Sequence, residues 1–394
     1  MWDGLIIADH NCVVMGHSIR TGISYMYESG FNRAILPLLE AGEIDALEWS
    51  FDTVKTLASL PDWTAGLLKE FSEAGRLYGH GVYYSIFSGA WLKRHDGWFI
   101  HLENVLKEYR FQHISEHFGF MTSSNAHEGA PLPLPFSKDT LTLGTDRLKR
   151  LSQACQIPIG IENLAFAFSP KDAREQSAFL KALMEPVNGF VLLDLHNVYC
   201  QAANFGIDAL ELVCSYPLHR VKELHVSGGS WESSPYSNNL IRRDTHNDAI
   251  PEAVYELLNA TLPLCPNVEV VIVERLGDTL KDEVDEALFR NEFLKIKSIV
   301  RDAKHLPVSN GLFNPIPHLH SAEINPENPF LQYQQSLILQ TLHTADNALH
   351  AKQRLLNDPK INQGLWKINA WEPSMIDTAM QLGIKWGINH QQEE

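Results

Sequence analysis

The sequence predicts an α/β fold: a (β/α)8 TIM barrel followed by a small helical C-terminal region. Three observations carry that expectation. Apolar runs of strand length alternate with amphipathic stretches of helix length over roughly 290 residues, the size of one such barrel. Several runs, such as Ile157-Pro-Ile-Gly-Ile and Phe190-Val-Leu-Leu, are apolar throughout rather than alternating. Strands buried on both faces read this way. The runs also end abruptly in Asp, Glu or His, and a barrel gathers all such strand ends on one rim, where its chemistry sits. A doubly wound open sheet is the competing architecture, but no GxGxxG follows an early strand.

The runs fall in order along the chain. The first is Cys12–His17, with Leu5–Ala8 as the competing choice, and a helix follows from Tyr25 to Leu39. The second is Ile44–Trp49, then a helix over Val54–Ala74. The third is Leu77–Tyr84, with a helix over Trp98–Phe111. The fourth is His113–Gly119, followed by a Gly/Pro-rich loop at Glu128–Pro135 and a helix over Ser137–Cys155. The fifth is Ile157–Ala165, with a helix over Lys171–Met184. The sixth is Phe190–Asn197, with a helix over Ile207–Ser215. The seventh is Val221–Gly228, after which a polar loop carries Arg243-Asp-Thr-His246 and a helix covers Pro251–Leu262. The eighth is Val268–Arg275, closed by a helix over Glu283–Arg301. Residues 1–305 are thus expected to form the barrel. Residues 306–328, rich in Pro, Asn and His, read as a linker. Residues 329–394 read as helical, either a cap on the barrel or a peptide- or partner-binding region, with Trp366, Trp371 and Trp386 as its apolar contacts.

Composition narrows the function. Of 394 residues, 44% are hydrophobic and 20% charged, the balance of an ordinary globular protein. A net charge of −16 argues against nucleic acid and anionic membrane as partners. Five scattered cysteines without a CxxC fit a reducing compartment. The start, Met-Trp-Asp-Gly-Leu-Ile-Ile, lacks the basic and apolar regions of a signal peptide, and no run approaches a membrane span. A cytoplasmic protein is expected.

The residues expected at the rim are Glu48, His80, Glu116, His117, Glu162, Asp194, His196, His225 and Glu274, with Asp244 and His246 from the loop after run seven. Carboxylate oxygens with imidazole nitrogens suit Fe, Mn or Zn. So many like charges in one cavity need cations among them, which favours several metal ions over one. Glu48 alone reads more simply as a salt bridge or strand-end cap, and Gly228-Gly229 as a plain turn.

Ser115-Glu-His-Phe, Leu132-Pro-Leu-Pro-Phe-Ser137, Ile161-Glu-Asn163, Leu193-Asp-Leu-His-Asn-Val-Tyr199, Leu224-His-Val-Ser-Gly228, Asp244-Thr-His246 and Val273-Glu274 resemble, in order, the motifs of the DUF692 family. Its members are the multinuclear non-haem iron-dependent oxidative enzymes (MNIO), which modify ribosomally synthesised peptides. The resemblance runs from about Met15 to Asp278. It implies a TIM barrel holding two or three irons, a mixed-valence Fe(II)/Fe(III) pair, and O2 as co-substrate. The substrate implied is a precursor peptide modified at Cys or another side chain near its C-terminus, often brought by a recruiting partner protein. Carried over by position, Glu162, Asp194, His225 and Glu274 form the catalytic part of the cluster. Asp244 and His246 hold another iron with His196 close by, and His80 belongs to a further one. Glu116, His117, Asn163 and Asn197 fall to substrate contact or to orienting the ligands. The family's Glu-x-His at strand two is here Glu48-Trp-Ser50, which leaves His117 or a water to take the place of that histidine. Two other functions fit the same residues: a Zn- or Mn-dependent hydrolase or isomerase of the xylose isomerase or endonuclease IV type, and a non-catalytic peptide-binding protein.

Overall fold

The computed structural model describes residues 19–122, 127–303, 312–317, 319–322, 326–362 and 364–386. Strand β1 is Arg20–Tyr25, β2 is Ala46–Trp49, β3 is Leu77–Gly81 and β4 is Ile114–His117. A hairpin of β5 (Phe120–Thr122) and β6 (His127–Leu132) stands off the barrel. Then follow β7 (Ile159–Glu162), β8 (Phe190–Asp194) and β9 (Val221–Ser227), a short pair β10 (Trp231–Glu232) and β11 (Ile241–Arg242), and β12 (Val270–Glu274). The barrel closes as β1-β2-β3-β4-β7-β8-β9-β12, every neighbour parallel. The predicted TIM barrel is therefore the fold.

The helices between the strands are α1 (Ser29–Glu40), α2 (Asp62–Glu73), α3 (Lys93–Glu108), α4 (Lys138–Cys155), α5 (Pro170–Met184), α6 (Leu195–Phe205), α7 (Ala209–Ser215), α8 (Glu252–Thr261) and α9 (Glu283–Asp302). Their starts follow from local chemistry. Ser137, Ser169, Asp194, Asp208 and Asp282 each accept a hydrogen bond from a backbone N–H of the helix they precede. Pro170 adds a preset φ at the first position of α5. The apolar faces of these helices and the outer faces of the strands form one continuous core. Inside the barrel a separate plug of Ala46, Tyr78, Val270 and Ile272 fills the space below the rim.

Two expectations are corrected. The first barrel strand is Arg20–Tyr25, whereas Cys12–His17 and Leu5–Ala8 lie outside the described residues. Arg-Thr-Gly-Ile-Ser-Tyr carries little apolar weight, and at Gly22 its neighbours leave no room for a side chain. A Cβ on Gly22 would meet Ala46 O at 2.6 Å and the Ile272 side chain at 2.7 Å. The stretch read as a Gly/Pro loop contains strand β6, paired antiparallel with β5.

The chain then returns to the rim. Asn188 Nδ2 donates to the Leu312 and Asn314 carbonyls beside Phe313, which packs on Phe190. Gln153, Arg150 and Arg147 of α4 bind the carbonyls of Leu319, Ala322 and Pro326 in turn. The described parts of the stretch read as a linker are thus strapped along α4. Helices α10 (Pro329–Thr344), α11 (Ala348–Asn357), α12 (Pro359–Asn362) and α13 (Pro373–Trp386) follow. Gln335 of α10 receives Gly89 N–H at 2.7 Å and donates to Phe87 O at 2.6 Å. Trp371 lies flat on Phe168, ring centroids 3.6 Å apart, and Glu372 N–H donates to Phe168 O. Trp366 and Trp371 are buried in this packing. They hold the cap to the barrel and are not open to a peptide; the Trp386 side chain lies outside the described residues.

Candidate metal centre

The rim residues converge. Glu162 Oε2 stands 3.3 Å from His80 Nε2 and 3.2 Å from His117 Nε2. His225 Nδ1 is 3.2 Å from Glu274 Oε2, and His246 Nε2 is 3.0 Å from Asp244 Oδ1 and 3.6 Å from Glu274 Oε2. Three sets bring one ligand atom per residue within 4.8 Å of each other: His80, His117 and Glu162; Glu162, Asp194 and His225; and Glu48, Glu223 and His225. Among the described residues, no lysine or arginine pairs with Glu162, Asp194, Asp244 or Glu274.

Local structure explains how each side chain is aimed. Glu162, Asp194 and Glu274 are the last residues of β7, β8 and β12, where the chain leaves the core. Asp194 Oδ1 also caps α6, accepting Asn197 N–H at 2.6 Å, which leaves Oδ2 for the cavity. Asn197 Nδ2 donates to Glu162 Oε1 at 2.9 Å, leaving Oε2. His117 Nδ1–H donates to Gly81 O at 3.2 Å and His80 Nδ1 bonds Ser115 Oγ at 2.8 Å, so both rings present Nε2. Glu48 Oε2 accepts from His225 Nε2 at 3.1 Å, which turns Nδ1 to the cavity. Each inward atom therefore has its other end tied by a neighbour, the arrangement that orients metal ligands. His246 sits at φ 50°, a costly backbone for a residue with a Cβ, and Leu276 N–H holds its carbonyl.

The inward atoms are left without hydrogen bonds. Glu162 Oε2, Asp194 Oδ2, His225 Nδ1 and His246 Nε2 are all buried and none has a partner of acceptable geometry. Buried polar atoms are rarely orphaned, since each such group costs about 1–3 kcal/mol. Four of them in one cluster, of two types that both bind metal, fit a cation among them. The electrostatics agree. Burial and the charges of Asp244, Glu162 and Glu274 raise the Asp194 carboxyl well above its ordinary value. Burial opposes charge on His80, His225 and His246, but the carboxylates overcome it. Glu162 and Glu48 raise His80 to about 9, Glu274 and Glu48 raise His225, and Asp244 with Glu274 raises His246 to about 10. Protons here do what a metal ion does when it displaces them.

The other rim residues are each held by partners of their own. His196 does not offer a nitrogen: Nδ1 bonds Asp244 Oδ1 at 2.8 Å, and Nε2 accepts from Arg242 Nε and Nη2 at 3.1 and 2.9 Å. It holds Asp244 and is absent from the three sets. His117 points its Nε2 at Glu162 and falls in one set with His80. Glu116 turns away and accepts from the Tyr84 and His117 backbone N–H groups. Asn163 is tied both ways to the Asp194 backbone. Glu48, read as a salt bridge or strand-end cap, is paired with His225 at 3.1 Å. Gly228 and Gly229 do more than turn: a Cβ on Gly229 would lie 2.1 Å from Arg243 O, so the Asp244 loop crosses directly over them.

Sequence reasoning missed Glu223 and His113. Both are fully buried and paired at 2.7 Å, and Glu223 Oε1 is 3.7 Å from His225 Nε2. Glu223 and His225, two apart on β9, share the inner face. The available signal was an acid in the middle of a run otherwise read as buried.

Above the cluster opens a cavity of about 210 Å3. Glu162, Asp244, His246 and Glu274 form its floor; Arg242, Arg243, Leu164, Phe166 and Leu276 its sides; and Met375, Thr378 and Leu382 of α13 its outer wall.

Known proteins similar to this chain include the UPF0276 protein PA14_21580 of Pseudomonas aeruginosa, 25% identical over 250 residues, 62% of this chain and 84% of that one. The UPF0276 protein RB0508 of Rhizobium meliloti is 25% identical over 194 residues, 49% of this chain and 62% of that one, so the chain spans less than two thirds of that relative. Among solved structures, the IOLI protein with a bound zinc atom gives a TM-score of 0.47 at 13% identity, covering 73% of this chain and all of that one. Endonuclease IV from Thermus thermophilus gives 0.44 at 16%, covering 71% and 99%. Residues 51–299, more than half of the chain, match the family model described as RiPP precursor modification enzyme MbnB/TglH/ChrH, and the chain belongs to that family.

Proposed function

We propose that the protein carries out an iron- and O2-dependent oxidative modification of a ribosomally synthesised peptide, at Cys or another side chain near its C-terminus. The observation that carries this reading is the set of four orphaned ligand atoms, Glu162 Oε2, Asp194 Oδ2, His225 Nδ1 and His246 Nε2, of which those of Glu162 and His246 belong to residues lining an open cavity. His80, His117 and Glu162 would hold one iron; Asp194, His225 and Glu274, sharing Glu162, a second; Asp244 and His246 a third. When bound, the irons supply a Lewis acid for a substrate thiolate and the electrons for reducing O2.

The chain's own residues position and shield. Glu48 keeps the His225 proton on Nε2, and Asn197 fixes one oxygen of Glu162. The Arg242 guanidinium, facing the Tyr199 and Trp231 rings, steadies His196 and through it Asp244. Leu164, Phe166, Leu276 and Met375 limit water at the reacting side chain. The substrate is a precursor peptide, delivered by a separate recruiting partner protein, since the cap tryptophans Trp366 and Trp371 are spent on packing. Among the described residues no helix is long and apolar enough to cross a membrane. Cys155, Cys200, Cys214 and Cys265 are free thiols, which fits a cytoplasmic setting.

The test is to add a Cys-containing precursor peptide to anaerobically iron-loaded protein and then admit O2. O2 uptake that requires the peptide, with a matching change in peptide mass, is expected. A peptide changed equally well without O2 would overturn the proposal.

A further inference from the structure

The outer wall of the metal cavity comes from a helix beyond the residues that match the family model. That match ends at residue 299, whereas α13 spans Pro373–Trp386. It is fixed on both sides of the mouth. Asp377 Oδ2 accepts from Ser234 Oγ at 2.9 Å, and Gln381 Oε1 lies 3.4 Å from Arg243 Nη1. The Trp371–Phe168 stack and the Glu372 N–H to Phe168 O bond pin the start of the helix to the loop after β7. Thr378 spends its hydroxyl on the Ser374 carbonyl, so the groups this helix offers the cavity are apolar. The remaining space, about 210 Å3, is below the roughly 300–1,000 Å3 of pockets that enclose drug-sized ligands.

We infer that α13 is a substrate-sizing wall: Met375, Thr378 and Leu382 narrow the metal cavity so that it admits one side chain with its adjoining backbone and refuses a bulkier one. This rests on the reading of the cluster as a metal centre. The wall belongs to this chain's own C-terminal region, so it sets what this protein accepts rather than what the family shares.

The test uses the full chain loaded with Co(II), and reads how fast EDTA strips the metal and how tightly thiols bind it, followed by the cobalt absorption bands. The probes are 2-mercaptoethanol, which is small, and glutathione, whose cysteine is flanked on both sides. Leu382→Ala with Met375→Ala should speed stripping by EDTA at least tenfold and bring glutathione binding to within about threefold of 2-mercaptoethanol. Leu382→Trp should slow stripping at least threefold, a direction that mere loosening of the helix cannot give. Unchanged stripping in both variants, with cobalt bound as in the parent, overturns the wall and leaves the metal centre standing. Failure of the parent to bind cobalt overturns the metal centre, and the wall with it.

Discussion

Asn197 offers the sharpest test of how the cluster is held. Its Nδ2 donates to Glu162 Oε1 at 2.9 Å and to Asn163 O at 2.8 Å, while its backbone N–H caps Asp194. Asn197→Ala removes the amide and keeps the backbone donor, and alanine is at home in a first helical turn. A hydrogen bond to a charged partner contributes about 1.5–3 kcal/mol. Loss of a partner that orients a metal ligand lowers affinity about 10–100-fold, which is about 1.4–2.7 kcal/mol. Two independent routes thus give the same range. Competition of Co(II) between the protein and a chromophoric chelator measures it directly. Affinity reduced by 10–100-fold, with unfolding otherwise close to that of the parent, is the expected outcome. An unchanged affinity would mean that Glu162 needs no help from Asn197 and that the ligand set has been drawn wrongly.

Three more outcomes follow from the packing and the charges. Trp371→Ala should lower stability by about 3–5 kcal/mol in urea unfolding, because a buried ring stacked on Phe168 is lost; a loss under 1 kcal/mol would mean the cap is not held there. Gly229→Ala should displace the Asp244–His246 loop, since its Cβ would meet Arg243 O at 2.1 Å, and lower the metal content while sparing the fold by circular dichroism; full metal content would refute the close crossing. His95 is held neutral, pushed down from its ordinary 6.5 to about 4 by burial and then by Arg147. A histidine lowered in the folded state contributes stability that is whole above pH 6.5 and lost as pH falls from 6.5 towards 4, up to about 3 kcal/mol in all. His95→Asn should flatten the stability–pH curve across that window, and parallel curves would show that another group governs it.

The barrel was legible because most strands are buried on both faces and so are written as unbroken apolar runs. The strand that escaped, Arg20–Tyr25, escaped for a physical reason. Gly22 is small because the β2 backbone and Ile272 crowd it, and with Thr21 and Ser24 around it the run does not look like a strand core. The rim residues were legible as a set, since an acid or imidazole ending an apolar run is costly unless something engages it. Their individual roles were not. His196 and His117 carry the same side chain just after β8 and at the end of β4, and only the partners of each ring separate them: Arg242 and Asp244 occupy both nitrogens of one, while the Gly81 carbonyl frees Nε2 of the other. Arg242 reaches His196 from the β10–β11 pair, a contact between positions 46 residues apart that no local pattern reveals. The C-terminal region was legible as helical, but the placing of Met375, Thr378 and Leu382 beside the cavity depends on where Trp371 lands on Phe168.

Acid and imidazole groups from separate strands converge within 4.8 Å of one another, and we propose that they share a small cluster of iron ions. Metal analysis with Mössbauer spectroscopy on anaerobically purified protein tests it most directly. Two or three irons per chain, with a mixed-valence Fe(II)/Fe(III) pair, is the expected result; zinc or manganese in their place, with no O2 consumed when peptide is added, would contradict it.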